Sequence, residues 1–279
     1  MGIKTILSVV TAPATAAADL TPAMAIAREQ DAHLDVLCLG VDRTQTGYYY
    51  AGATAFVHQE TLELADKDAR AIEAAVAQVM AGAEQRWGSE GAVAQMGSIA
   101  PLVGQRARFS DLVVVSRPYG EGRGQEHEAI VEAALFDGAT PVLITPNAEP
   151  VSLQPRRVVV AWNQSDEALA AIRKALPILK SADLVDITII DPPAHGPERS
   201  DPGGALGQWL ARHGVRAEVS VLAKTLPKIS DVIHRHVADS SAEMVVMGGY
   251  GHSRFREAIL GGATRNMLEE AKVPVFMAR

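Results

Sequence analysis

The sequence is short of the residues that several classes of protein require. Cys38 is the single cysteine, so no disulfide can form within one chain, and a reducing compartment is expected. It lies in the apolar run Leu34–Leu39, which predicts a buried and unreactive thiol. The formal net charge is −7, and the Lys and Arg residues are scattered. Since nucleic-acid-binding proteins usually carry a basic patch, we expect no nucleic-acid partner.

Long apolar stretches are also missing. No segment approaches the roughly 20 apolar residues of a membrane-spanning helix, so we expect a cytoplasmic protein without a membrane partner. The opening Met1–Val10 has one lysine and too short an apolar core for a signal peptide, and it predicts a first strand. Aromatic residues make up only 5% of a chain that is 48% hydrophobic. Ala, Val, Ile and Leu dominate instead, which favours buried parallel strands covered by helices.

Four strand-like segments recur in the same order, which indicates an internal duplication. The first two pairs are offset by 153 and 151 positions and the last two by 132 and 133, so the copies differ in length by about twenty residues. The difference falls where the first copy has a helical pattern, Thr61–Trp87, and the second has a loop and short helix within Asp191–His213. The pairs are Ile6–Val9 with Val159–Trp162, Leu34–Leu37 with Val185–Thr188, Asp111–Val115 with Glu243–Met247, and Thr140–Ile144 with Val273–Met277.

Each copy predicts five strands that alternate with four helices, the pattern of an α/β fold with a doubly wound parallel sheet and right-handed crossovers. We therefore predict two tandem modules, residues 1–148 and residues 155–279. The polar segment Asn147–Gln154 contains a proline and predicts the linker between them. One large α/β sheet without duplication is the alternative.

The segment from Met247 to Thr264 is the strongest indication of a binding function. It begins at the carboxyl end of an apolar strand and ends where a helix, Thr264–Glu270, is predicted to start. In open α/β sheets, ligands bind at the carboxyl ends of the strands. Four glycines keep side chains off the walls of the segment, so that the backbone can adopt positive φ and approach a ligand. They are Gly248, Gly251, Gly261 and Gly262.

The end of this segment favours a negatively charged group. Gly261 and Gly262 precede the predicted helix, whose free N–H groups and positive dipole end attract phosphate. Thr264 either adds a hydroxyl group or caps the helix. Positive charge nearby would come from His252, Arg254 and Arg256. On the glycines alone, a tight strand-to-helix connection without a ligand is an open alternative.

The spacing Gly248-x2-Gly251-x9-Gly261 resembles the signature that universal stress proteins place between their fourth strand and fourth helix. The resemblance covers nearly the whole chain: Pro274–Phe276 resembles the last strand of a module, and Ala161–Ser165 resembles its first-strand turn. It implies a tandem universal stress protein with two Rossmann-like modules of the adenine nucleotide α-hydrolase type. It also implies ATP or another adenine nucleotide as the ligand, with or without Mg²⁺.

The resemblance implies a set of binding residues by position. Those for the base are Ala161, Asn163 and Ile189, and those for the ribose and phosphates are Met247, Gly248, Gly251, His252, Gly261, Gly262, Ala263 and Thr264. Two of them depart from the family pattern. ATP binders usually have Ser or Thr where this chain has Gly262, which loses a hydroxyl contact but keeps the backbone N–H. They usually have Asp where this chain has Asn163, which offers an acceptor and a donor.

The first copy differs at the corresponding place. Its segment Ser116–Gly122 lacks the glycine spacing, and a proline and acidic residues replace a phosphate-binding loop: Pro118, Glu121, Glu126 and Glu128. We expect this copy not to bind ATP and to serve as the partner of the second. The resemblance further implies that the edge strands Val142–Ile144 and Val275–Met277 pair within the chain, with or without a homodimer.

The resulting hypothesis is a stress-response or regulatory protein that binds an adenine nucleotide in its second module, with no catalytic residue assigned. Two alternatives stay open: an interaction scaffold without nucleotide, and a slow ATPase. No metal site is predicted. His234 and His236 are two positions apart, so on a helix they diverge and predict a solvated face rather than a pair of metal ligands.

Overall fold

A computed structural model describes residues 2–43, 54–192, 201–249 and 262–279. Strands and helices alternate through both copies, as the sequence predicts. The chain forms two compact units. The N-terminal unit contains residues 3–140 and 147–151, and the C-terminal unit contains residues 141–146 and 152–279 together with Gly2. Among the helices in the described residues, none has the length and apolarity to cross a bilayer.

The N-terminal unit is a four-stranded parallel sheet in the order β3-β2-β1-β4. Two short 3₁₀ turns, Pro13–Thr15 and Met96–Ser98, precede α1 and α3. The elements are β1 Thr5–Val10, α1 Ala16–Gln30, β2 His33–Asp42, α2 Thr54–Val79, β3 Trp87–Gln95, α3 Ile99–Ala107, β4 Leu112–Ser116 and α4 Gln125–Phe136.

The C-terminal unit is a six-stranded sheet in the order β5-β10-β9-β6-β7-β8. Strand β5 is antiparallel to β10, and the remaining pairs are parallel. The elements are β5 Val142–Thr145, β6 Arg157–Ala161, α5 Asp166–Ser181, β7 Leu184–Ile190, α6 Gly204–Arg212, β8 Ala217–Leu222, α7 Ile229–Ser240, β9 Met244–Gly248, α8 Gly262–Glu270 and β10 Val275–Ala278.

The pairing of β5 with β10 places Ile144 opposite Val275 and Val142 opposite Met277. These are the two strands between which the sequence predicts an edge contact. Strand β5 follows the N-terminal unit in the sequence, yet it groups with the C-terminal unit because of this pairing. Strand β10 lies between β5 and β9, so both of its hydrogen-bonding edges are used.

The central strands are buried on both faces, which explains their continuous apolar sequences. Val158, Val159 and Val160 of β6 are fully buried, as are Val245 and Val246 of β9. Cys38, in β2, is also fully buried, and burial together with the nearby Glu73 raises the pKa of its thiol to about 12. The thiol is therefore protonated and unreactive at neutral pH, as the sequence predicts.

The strand ladders correct the alignment of the two copies at the first strand. In the N-terminal unit Ile6 pairs with Leu34, and in the C-terminal unit Val158 pairs with Val185. The pairs that β1 makes with β4 and that β6 makes with β9 give the same match. Ile6 therefore corresponds to Val158, and its sequence-based match with Val159 was wrong by one residue. A strand that is buried on both faces has no regular alternation of apolar and polar residues to fix its register.

Two further boundaries differ from the sequence-based prediction. The helix predicted over Thr61–Trp87 begins at Thr54 and ends at Val79, and Trp87 begins β3. Its counterpart α6 has nine residues against twenty-six in α2, so the length difference between the copies lies where the sequence predicts it. Helix α8 begins at Gly262, two residues before the predicted start at Thr264.

Candidate functional site

The carboxyl ends of three neighbouring strands form the edge of the sheet at which the sequence predicts a ligand. Ala161 pairs with Thr188 of β7 on one side and with Met247 of β9 on the other. Ala161 and Met247 are half-buried, whereas the side chain of Ile189 is buried. The structure thus brings together the ends of β6, β7 and β9. Four of the predicted binding residues lie there: Ala161, Ile189, Met247 and Gly248.

The turn from β6 into α5 is fixed by its own polar groups. The exposed Asn163 accepts a hydrogen bond at Oδ1 from the backbone N–H of Ser165, 3.2 Å away. Ser165 in turn caps α5, since its Oγ accepts from the N–H of Ala168 at 3.1 Å. Asn serves this turn as Asp would, because both side chains offer a carbonyl-type acceptor. The side-chain NH₂ of Asn163 can donate to a ligand.

Trp162 points into the protein rather than toward a ligand. Its side chain is only 9% exposed, and its backbone N–H donates to the carbonyl of Thr188 at 3.0 Å. The indole nitrogen is buried and has no hydrogen-bond partner among the residues that the structure describes. The side chain therefore contributes to packing and is not available to stack on a bound base.

Gly248 is required by packing, whether or not a ligand is present. A Cβ at this position would lie 2.5 Å from the backbone nitrogen of Ala168 and 2.6 Å from the carbonyl carbon of Glu167. The first turn of α5 thus rests on the backbone of β9, and any side chain would push the two apart. Such close packing of helix on strand is a known role of glycine in nucleotide-binding α/β folds.

At the start of α8, Gly262 is exposed and Thr264 is buried. Gly262 is exposed, and no described atom lies within 4 Å of a Cβ built on it. Thr264 lies in the first turn and is only 6% exposed, so it is not the cap of the helix. Ala263 lies between them. The other predicted residues, Gly251, His252 and Gly261, lie outside the described residues, as do Arg254 and Arg256.

The sequence predicts a solvated face for the two histidines of α7, and this prediction is wrong. His236 is 16% exposed, and its Nε2 lies 2.7 Å from Oδ2 of the buried Asp186 in β7. His234 packs against α8, and burial lowers the pKa of its imidazole despite the nearby Glu270. The prediction failed because α7 is covered on two sides, by the sheet and by α8. The available signal was Asp186 itself, since a carboxylate within an apolar strand needs a partner.

The corresponding edge of the N-terminal unit is filled by charged side chains. With the corrected register, Thr11 takes the place of Asn163, and its Oγ1 lies 3.1 Å from His127 Nε2. Arg43, directly after β2, binds the carboxylate of Glu126 with Nε at 3.1 Å and Nη2 at 2.7 Å. No group of three or more potential metal ligands occurs in either unit within the described ranges.

Comparison with known proteins gives the family of the second copy. Residues 155–279 match the model of the universal stress protein family. Universal stress protein Slr1230 of Synechocystis sp. is 27% identical over 148 residues, which cover 50% of this chain and 47% of that protein. The chain thus spans about half the length of this curated relative.

Solved structures extend the similarity to the whole chain. A universal stress protein from Archaeoglobus fulgidus superimposes with a TM-score of 0.62 at 15% identity, covering 99% of this chain and 96% of that one. A putative universal stress protein from Pseudomonas aeruginosa gives 0.59 at 15% identity, with 99% and 93% coverage. Residues 155–279 therefore belong to the universal stress protein family, and the whole chain has the fold of universal stress proteins.

Proposed function

We propose that this tandem universal stress protein binds ATP or another adenine nucleotide in its C-terminal unit and acts as a cytoplasmic stress-response or regulatory protein. The observation that carries the proposal is the glycine spacing Gly248-x2-Gly251-x9-Gly261, which runs from the carboxyl end of β9 to the start of α8. That position joins the two features that favour phosphate in α/β folds, a strand end and a helix N-terminus.

The base would lie over the ends of β6 and β7. Ala161 leaves room there, the side-chain NH₂ of Asn163 donates to a ring nitrogen, and the backbone at Ile189 supplies further polar groups. The ribose and phosphates would follow the segment from Met247 to Gly261. The first-turn N–H groups of α8 would hold the phosphates, because no side chain at Gly262 blocks them.

The proposed contacts are suited to holding a nucleotide rather than to hydrolysing it. They consist of backbone groups, one amide and His252, and no carboxylate is among them to activate a water molecule. The phosphates would bind with or without Mg²⁺. A homodimer would need a surface other than the edges of β10, since β5 and β9 occupy both.

Calorimetric titration of ATP tests the proposal with two matched variants. Gly261→Glu places a negative charge at the proposed phosphate site, and it should abolish the binding that the parent protein shows. Gly97→Glu adds the same charge at an exposed glycine of the N-terminal unit, where no described atom lies within 4 Å of the new Cβ. It should bind as the parent does. No heat at millimolar ATP with folded parent protein would overturn the proposal, as would unchanged binding by Gly261→Glu.

A further inference from the structure

We propose that the N-terminal unit closes its own ligand crevice with an internal anion, the Glu126 carboxylate, in the position that corresponds to the nucleotide phosphates of the C-terminal unit. The inference rests on the proposed function for that correspondence. It adds a consequence of its own, which is that the chain binds one nucleotide rather than two.

The two places correspond by topology and by strand register. Helix α4 follows β4 as α8 follows β9, and Thr11 occupies the place of Asn163 at the end of the first strand. The connection before α4 has eight residues, 117–124, whereas the connection before α8 has thirteen, 249–261. The shorter connection contains Gly120, Gly122 and Gly124, but it lacks the spacing Gly248-x2-Gly251-x9-Gly261 of the longer one.

The Glu126 carboxylate lies on the N–H groups at the start of α4. Glu126 is the second residue of the helix, and its side chain is only 5% exposed. The carboxylate accepts the residue's own backbone N–H and folds back over Gly124, where a Cβ would overlap Oε2. The backbone N–H of Glu126, one of the groups that a phosphate would need, therefore already faces a negative charge.

Arg43 fixes this anion from the end of β2. Two guanidinium nitrogens lie within 3.1 Å of Glu126 Oε1, the charge-assisted geometry that favours an ionised carboxylate. Burial raises the pKa of Glu126, but the Arg43 hydrogen bond, the backbone N–H and the charges of Arg43 and His127 outweigh it, and the pKa lies below its usual value. The group is an anion at neutral pH.

Two more contacts tie the same segment to the rest of the unit. Arg123 forms a 2.8 Å ion pair with Asp19 of α1, and both side chains are largely buried, at 15% and 4% exposure. His127 Nδ1 lies 3.1 Å from the backbone nitrogen of Gly124 and 3.2 Å from its carbonyl oxygen, and Nε2 lies 3.1 Å from Thr11 Oγ1. Residues 123–127 are thus held to β1, β2 and α1 at once.

A phosphate cannot share this place with Glu126, because two anions at one set of N–H groups repel each other. The first turn of α8 carries no acidic residue, so the described residues of that turn supply no internal anion like Glu126. We therefore expect phosphate to be excluded from the start of α4 and admitted at the start of α8.

Titration of inorganic pyrophosphate, in the Gly261→Glu background that blocks the C-terminal site, tests the proposal. Gly261→Glu alone should give no heat. Adding Glu126→Gln should create one pyrophosphate site per chain, whereas Glu128→Gln removes the same charge from the same helix and should create none.

Two outcomes would overturn the proposal. One is that the folded Gly261→Glu/Glu126→Gln variant binds no pyrophosphate, and the other is that the parent protein has two ATP sites. If the parent binds no ATP but the Glu126→Gln variant gains pyrophosphate binding, the proposed function fails and this inference stands.

Hydrogen exchange keeps the proposal testable if Glu126→Gln does not fold. Arg43→Met removes the cation that fixes Glu126, and the amides of residues 124–127 should exchange about tenfold faster or more, as expected for the loss of a charged hydrogen bond. Arg70→Met removes an exposed arginine paired with Asp66 on α2 and should leave those amides unchanged. If these amides exchange at the same rate in Arg43→Met as in the parent protein, the proposal that Glu126 closes the N-terminal unit is overturned.

Discussion

A Cβ on Gly248 would lie 2.5 Å from the backbone nitrogen of Ala168, so the end of β9 and the first turn of α5 touch backbone to backbone. Replacing Gly248 with Ala should therefore destabilise the protein by about 1–3 kcal/mol, the usual cost of forcing an extra methyl group into a packed contact. Chemical denaturation measures this loss. Gly97→Ala, at an exposed position with no described atom near the new Cβ, should change stability by less than about 0.5 kcal/mol. Equal stability of the two variants would contradict the packing role.

Gly262→Ser should strengthen ATP binding, because it restores a hydroxyl group at a position with room for one. One added hydrogen bond contributes about 1 kcal/mol, which corresponds to roughly fivefold in Kd. Calorimetry of Gly262→Ser and Gly262→Ala separates this hydrogen bond from any effect on the helix. A serine variant that binds no better than the alanine variant would show that the hydroxyl makes no contact with the nucleotide.

The buried pair of Asp186 and His236 should contribute strongly to the stability of the C-terminal unit. His236→Ala would leave Asp186 with the Thr188 hydroxyl as its remaining hydrogen bond, at 3.2 Å, and removal of one partner from a buried pair costs about 3–5 kcal/mol. The double variant His236→Ala/Asp186→Asn should recover part of the loss, because no buried charge is then left. Denaturation curves of the two single variants and the double variant measure the coupling between the two side chains. If the losses in free energy of unfolding of the single variants simply add up in the double variant, the two side chains are not coupled.

Stability should fall as the pH drops below neutral. Burial, and next the charge of Arg123, lowers the pKa of His127 below its usual 6.5; burial likewise lowers that of His234. The unfolded chain then takes up protons near pH 6.5 that the folded chain does not, so the free energy of unfolding decreases as pH falls from there. Denaturation at about pH 7.5 and about pH 5.5 should show this decrease. His127→Gln should reduce it, and a variant with the same pH dependence as the parent would contradict the role of His127.

The sequence predicts the fold well because the signals for it are local. Apolar strands, helical periodicity and their order in two copies require no knowledge of distant contacts, and they place all ten strands in the right sequence. The register of β1 against β6 failed because Ile6–Val10 and Val158–Val160 are buried at every position, so neither segment alternates between a buried and an exposed face. The register becomes visible only in the pairing with neighbouring strands.

Two side-chain pairs that the structure shows are not predicted, because their members lie far apart in the sequence. Arg43 and Glu126 are 83 positions apart, and Asp186 and His236 are 50 apart. Spacing within a helix or strand cannot show either pair. Gly248 illustrates a different limit: its residue type is visible in the sequence, but the contact with Ala168 that requires it is not.

The stoichiometry of ATP binding, measured by calorimetry on the intact chain, tests the central claim most directly. We expect one ATP per chain in the parent protein and none after Gly261→Glu, with the fold unchanged in both. A folded parent protein that binds no ATP would contradict the nucleotide site of the C-terminal unit, and two ATP per chain would contradict the closure of the N-terminal unit by Glu126.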